Sequence, residues 1–222
     1  MIQTDIYNTF ILTFAFLALF GIAEILFRYF KVRAEYTRKL VHVGTGILTL
    51  LFPLLLNNHW LVLLLCTGFA ILLIISLRFK LLPSINAIDR DSVGSIAYPV
   101  SVYICYLAFE HFNHQLIFYY LPILILAFCD PIAALTGKKF PLGKYKIRNS
   151  HKTILGSFMF FLSAFIISAL LVHYLETPLN IISWIACSIM ALTTSITEAI
   201  SGKGYDNITI PLAVILLLVL LR

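Results

Sequence analysis

The chain has 222 residues, 61% of them hydrophobic and 12% charged, with a mean hydropathy of +0.98. No water-exposed surface tolerates that balance, so a soluble fold is excluded on composition alone. The formal charge of +6 belongs to one face of a membrane protein and calls for no nucleic-acid partner.

Apolar runs long enough to cross roughly 30 Å of hydrocarbon recur at 8–30, 40–56, 60–78, 94–110, 116–136, 154–174, 179–198 and 207–221. They predict an all-α, polytopic membrane bundle of about eight transmembrane helices, a single integral domain over 1–222. The first run is too long for a signal-peptide core, and residues 1–9 hold no Lys or Arg, so it reads as a retained span. Fifteen of the sixteen basic residues fall after odd-numbered spans: Arg28 to Lys39, Arg78 to Arg90, Lys138 to Lys152, and Lys203. The positive-inside rule then puts both termini on the non-cytoplasmic side of a cell inner membrane or its equivalent. Loops 31–39, 79–93, 137–153 and 199–206 face the cytoplasm and are the place for a site. The cysteines, Cys66, Cys105, Cys129 and Cys187, all lie within spans without metal or disulfide spacing.

In chain order, the first chemical signal is Arg38, Lys39 and His42 at the start of the second span. Their i, i+3, i+4 spacing sets them along one helical side, able to grip a lipid headgroup or a phosphate. Snorkelling accounts equally for the Arg and Lys but not for His42. Glu24 has a ready intrahelical partner in Arg28 and reads as structural. Asp130 lies roughly 9 Å below the inner end of the fifth span, where an ionisable group is a functional candidate by default. Ala133, Ala134 and Gly137 form a small-residue face above it, along which a phosphate chain or metal could approach; a structural ion pair is the competing reading.

The loop 137–153 carries Lys138, Lys139, Lys144, Lys146, Arg148 and Lys152 with no acidic residue, a composition suited to a polyanion. Its tail, Ser150-His151-Lys152-Thr153, runs into the sixth span, so free amides and a helix dipole would face the same phosphate as Lys152. Binding of anionic bilayer lipids by an ordinary basic loop is the alternative. After the seventh span, Glu198, Asp206 and Asn207 surround a Gly-bracketed turn. With Asp130, the carboxylates offer Mg²⁺ the few oxygens it takes beside phosphate and water, although Asp206 or Asn207 would also serve as an N-cap.

Together, Arg38-Lys39-x-x-His42, Asp130-Pro131-x-Ala133-x-x-x-Gly137, His151-Lys152-Thr153-x-x-Gly156-Ser157 and Glu198 through Gly204, Asp206, Asn207 and Pro211 resemble the dolichol kinase, phytol kinase and CTP-dependent diacylglycerol kinase family. Gly94-Ser95-x-x-Tyr98-Pro99 is similar to the equivalent segment. The resemblance implies transfer of the CTP γ-phosphate to a membrane lipid alcohol with a divalent cation, Mg²⁺ or another. Catalysis would then fall to Asp130, Glu198, Arg38, Lys39 and His42, and the metal to Asp130, Glu198 and Asp206. Nucleotide contacts would fall to Gly137, Lys138, Lys144, Arg148, His151, Lys152, Thr153, Gly156, Ser157 and Asn207.

The phosphatidate cytidylyltransferases share the Asp, Gly and basic-loop arrangement. They end in a His-Gly-Gly-x-x-Asp-Arg-x-Asp motif, of which Gly202-Lys203-Gly204-Tyr205-Asp206-Asn207 lacks the His, the Arg and the second Asp. A transporter or lipid-binding scaffold would instead place polar groups near the midplane. Left open are the acceptor (isoprenoid alcohol or diacylglycerol), CTP against UTP, the general base, and monomer against homo-oligomer.

Overall fold

The computed structural model describes residues 2–86, 93–147, 150–176 and 179–221. Eleven helices run in the order α1 (Ile2–Arg28), α2 (Ala34–Thr49), α3 (Phe52–Leu55), α4 (His59–Phe79), α5 (Pro83–Asn86), α6 (Gly94–His111), α7 (Ile117–Leu124), α8 (Asp130–Lys139), α9 (Ile154–Leu175), α10 (Ile181–Ile200) and α11 (Asp206–Leu220) among these residues. Residues Ile125–Cys129 form a π-helical turn that joins α7 and α8 into one rod.

Six helical segments are long and apolar enough to cross a membrane: Gln3–Arg28, Ala34–Leu55, His59–Phe79, Ile117–Lys139, Ile154–Leu175 and Ile181–Ile200. The expected fourth and eighth spans are helices without that standing. Helix α6 is diluted by Ser, Tyr, Glu and His, and α11 has only 15 residues. The apolar stretch of Ile117–Lys139 is 72% buried, against 22–33% in the other five, so this rod is the centre around which the rest pack. That enclosure lets it carry a carboxylate: Asp130 meets protein, not lipid.

The second span starts at Ala34, six residues earlier than expected, and so places Arg38, Lys39 and His42 inside a formed helix rather than at its mouth. Three helices begin on side-chain caps: Asn58 accepts from the Trp60 amide, Thr153 from Gly156 and Asn180 from Ser183. At one end of the bundle Asp5 accepts from the backbone and side-chain amides of Asn57 at 3.1 Å, and the Tyr106 hydroxyl donates to Leu56 O at 2.6 Å.

One departure from an all-helical chain lies inside the basic loop. Strands β1 (Lys144–Ile147) and β2 (Ser150–Thr153) pair antiparallel, with Lys144 opposite Thr153 and Lys146 opposite His151. Gly143, at φ +64°, supplies the left-handed turn that admits β1.

Candidate functional site

Asp130 sits at the junction of the π turn and α8, 9% exposed. The local sequence explains the turn. Pro131 has no N–H for the preceding turn, and the wider π closure moves each donor one carbonyl back. In π closure the main-chain donor for Leu126 O would be residue 131, and a proline there has none to give. The His42 ring takes its place, with Nε2 at 3.1 Å from Leu126 O; since a carbonyl only accepts, Nε2 carries the proton. The same Nε2 is 3.9 Å from Asp130 Oδ2, and Lys39 Nζ is at 2.5 Å from that oxygen. Tyr98 packs edge-on against the His42 ring, centroids 4.8 Å apart, and donates its hydroxyl to His42 O at 3.3 Å. Two elements remote in sequence thus converge on one carboxylate. Arg38, one residue before Lys39, has its Nε buried without a partner. Glu24 pairs with Arg28, the structural role read for it above.

A second, largely buried pair lines the same cavity. Lys152 of β2 forms an ion pair with Glu198 of α10 and donates to Glu198 O at 2.9 Å. The hairpin gives Lys152 this reach, because the Tyr145 hydroxyl on the paired strand bonds Ser157 Oγ at 2.5 Å and fastens β1 to α9. Ser195 donates to Ser157 O at 3.0 Å, tying α10 to α9. Gly137 and Gly156 let α8 and α9 touch: a Cβ on Gly137 would stand 2.5 Å from Thr153 Oγ1, and one on Gly156 would stand 3.0 Å from Ala133 O. The small-residue face above Asp130 is therefore at least partly a helix-packing surface, not only an approach for phosphate. Thr153 Oγ1 accepts from the Gly156 amide at 3.0 Å, so its hydroxyl serves the helix cap.

The C-terminal turn closes the third side. Asp206 opens α11 and accepts from the Asn207 amide at 3.0 Å, while the helix has no side-chain cap at Tyr205. Asn207 Nδ2 donates to Gly94 O at 2.7 Å and Ser101 donates to Asn207 O at 2.5 Å, a clasp between α11 and α6. Lys203, at φ +56°, accepts from the Val93 amide through its carbonyl at 3.0 Å.

Asp130, Glu198, Asp206, Lys39, Lys152 and Arg38 all line one cavity of about 1000 Å³. His42, Gly137, Thr153, Gly156, Ser157 and Asn207 line it too, as do Lys138, Lys144 and His151 at its rim. Lys138 pairs with Glu35, and that pair is solvent-exposed. Arg148 lies outside the described residues. Among these residues no three His, Cys, Asp or Glu side chains stand close enough to hold a metal by themselves. The donors are nonetheless hard carboxylate oxygens, the type Mg²⁺ takes one or two at a time.

Sequence reasoning missed Leu126 O, Tyr145 and Ser195. Only Pro131, immediately after an acidic residue in an apolar helix, signalled the first.

The chain is similar to a phytol kinase. It is 29% identical to the phytol kinase of Synechocystis sp. over 190 residues, 86% of this chain and 81% of the relative. That likeness is consistent with the polyprenol-kinase resemblance drawn from the motifs. No family model matches the chain, and no solved structure does.

Proposed function

We propose that this protein is a CTP-dependent lipid-alcohol kinase. It transfers the γ-phosphate of CTP to the hydroxyl of a membrane isoprenoid alcohol or diacylglycerol at the cytoplasmic face. One observation carries the reading: a single cavity is lined by a buried and a largely buried lysine–carboxylate pair and by an arginine whose buried Nε is unpartnered. The similarity to a phytol kinase supports the same class.

Phosphoryl transfer requires mainly positioning and charge neutralisation. In the resting arrangement Lys39 and Lys152 neutralise Asp130 and Glu198. An entering triphosphate gives both ammonium groups, and Arg38, a stronger anionic partner, and so frees the carboxylates. The alcohol oxygen then attacks the γ-phosphorus, the bond to the β-phosphate oxygen breaks, and CDP departs. The hydroxyl proton passes to one of the two buried carboxylates, Asp130 or Glu198. His42, fixed by Leu126 and Tyr98, stands beside the same Asp130 oxygen that Lys39 pairs with. Mg²⁺, held by Asp130 with Glu198 or Asp206, would supply charge neutralisation on the phosphate oxygens when bound.

In this reading α6 and α11 join the six longer segments as shorter crossings, completing eight, with both termini on the non-cytoplasmic side.

The test feeds purified protein CTP labelled at the γ- or the α-phosphate, with an isoprenoid alcohol, diacylglycerol and phosphatidate. Label from the γ position on an alcohol is the expected result. A CMP moiety on lipid with released pyrophosphate would instead make it a cytidylyltransferase. Asp130→Asn is expected to lower phosphorylation by about 100-fold or more with expression retained, and unchanged turnover would point to a scaffold.

A further inference from the structure

The cavity does not end at the charged groups. Its lining also takes in residues of α1, α2, α4 and α6, an apolar limb walled by Phe16, Phe20, Phe69 and Leu73, with Phe52 and Cys66 among its lining. Interiors are packed as densely as organic crystals, and an apolar void forfeits the contacts its lining atoms would make. A limb of this extent, joined to a polar mouth, is accounted for by a guest.

The chemistry of that guest follows from its walls. Two threonines line the limb, and each has already spent its hydroxyl proton. Thr45 Oγ1 donates to Val41 O at 2.5 Å and Thr49 Oγ1 to Gly46 O at 2.8 Å, each back onto its own helix. Toward the α1–α4 side the wall is ring on ring, with Phe16 and Phe69 centroids 4.8 Å apart and Phe20 and Phe69 5.9 Å apart. Beneath, Phe16 meets Phe52 edge-on at 6.0 Å. A lining of rings and aliphatic carbon with its threonine donors spent suits a hydrocarbon guest.

Its depth is set by α2. Lys39 to Thr49 is about 15 Å at 1.5 Å per residue, half of a hydrocarbon core roughly 30 Å thick. We propose that this limb holds the hydrocarbon tail of the acceptor with its hydroxyl at Asp130, and that Phe52 and Cys66 limit the acceptor to one chain about a leaflet long. The assignment rests on the lipid-kinase reading for what happens at the hydroxyl, and on the cavity alone for where the tail lies.

Two measurements separate those dependencies. A leaflet-length isoprenoid alcohol with a photoactivatable diazirine at its tail end, crosslinked to the unmodified full-length protein, is expected to label peptides holding Phe52 or Cys66. Labelling only of lipid-facing positions overturns the tail site whatever the activity. Labelling at the limb without any phosphorylation by CTP keeps the tail site and removes the kinase.

The second measurement compares turnover of a short isoprenoid alcohol, a leaflet-length one, a long polyprenol and diacylglycerol. The unmodified protein is expected to favour the leaflet-length alcohol, and Cys66→Phe to lower its kcat/KM about tenfold while leaving the short one within a factor of about two. A preference for the polyprenol or diacylglycerol, or an equal loss on all acceptors, overturns the length limit. Should Cys66→Phe fail to fold, the crosslink and the acceptor profile of the unmodified protein decide.

Discussion

The Lys39–Asp130 pair sets the terms at the scale of single residues. Both side chains are buried, 11% and 13% exposed, so neither charge is well solvated without the other. Removing one partner of such a pair leaves an uncompensated charge and costs about 3–5 kcal/mol, whereas replacing both can be near neutral. Lys39→Met and Asp130→Asn are therefore not equivalent to their combination. We expect Lys39→Met alone to lower the melting temperature in detergent markedly, and the double variant Lys39→Met/Asp130→Asn to recover most of it. Phosphorylation should stay abolished in both. If the double variant regained turnover, the pair would be structural only. The sequence made this carboxylate conspicuous because it interrupts an apolar helix. It left open whether Asp130 had a basic partner, and beyond Pro131 gave no sign that Leu126 presents its carbonyl to His42. That depends on a change from α to π closure, and a helix apolar on every side has no stripe whose period would betray the change.

At the scale of elements, the crossing of α8 on α9 decides whether Asp130 and Lys152 share one cavity. The two glycines set that crossing. In Gly137→Ala the new Cβ would lie 2.5 Å from Thr153 Oγ1 and 3.4 Å from Gly156 Cα, so Thr153 must leave its cap or the helices must part. Overpacking of this kind costs about 1–3 kcal/mol. We expect Gly137→Ala to lower both thermal stability and kcat, since it separates the two halves of the site. Gly68→Ala, where nothing lies within 4 Å of the added atom, is the control and should change neither. The basic hairpin belongs to this scale as well. Its residues Lys144–Ile147 and Ser150–Thr153 are too short and too charged to signal strands by hydrophobic alternation, and their density of lysine draws attention to charge before geometry. What composition conveyed was a surplus of positive charge, from which the polyanion reading was drawn. Its pairing, which carries Lys152 to Glu198, is a tertiary matter fixed by Tyr145 on Ser157.

At the scale of the whole molecule, the membrane character was legible at once, because a bilayer imposes length and apolarity on every crossing. The number of crossings was harder to read. Helix α11 is apolar but short, and α6, half of it buried, spends positions on Ser and Tyr that a lipid-facing helix would fill with Leu or Ile. The proposed direction of the bundle rests on the sequence, in which basic residues cluster in the same loops that supply Lys39, Lys144 and Lys152 to the cavity, and cytoplasmic loops are where such residues concentrate. The native cysteines are buried, which leaves a silent background for accessibility labelling. A cysteine introduced at Lys146, exposed on the hairpin, tests one face, and one at His111, exposed at the end of α6, tests the other. With a membrane-impermeant maleimide on intact cells, His111→Cys should label and Lys146→Cys should not until the membrane is opened. The reverse pattern would place the charged mouth outside, away from any cytoplasmic nucleotide, and a kinase drawing on CTP could not then work in the direction proposed.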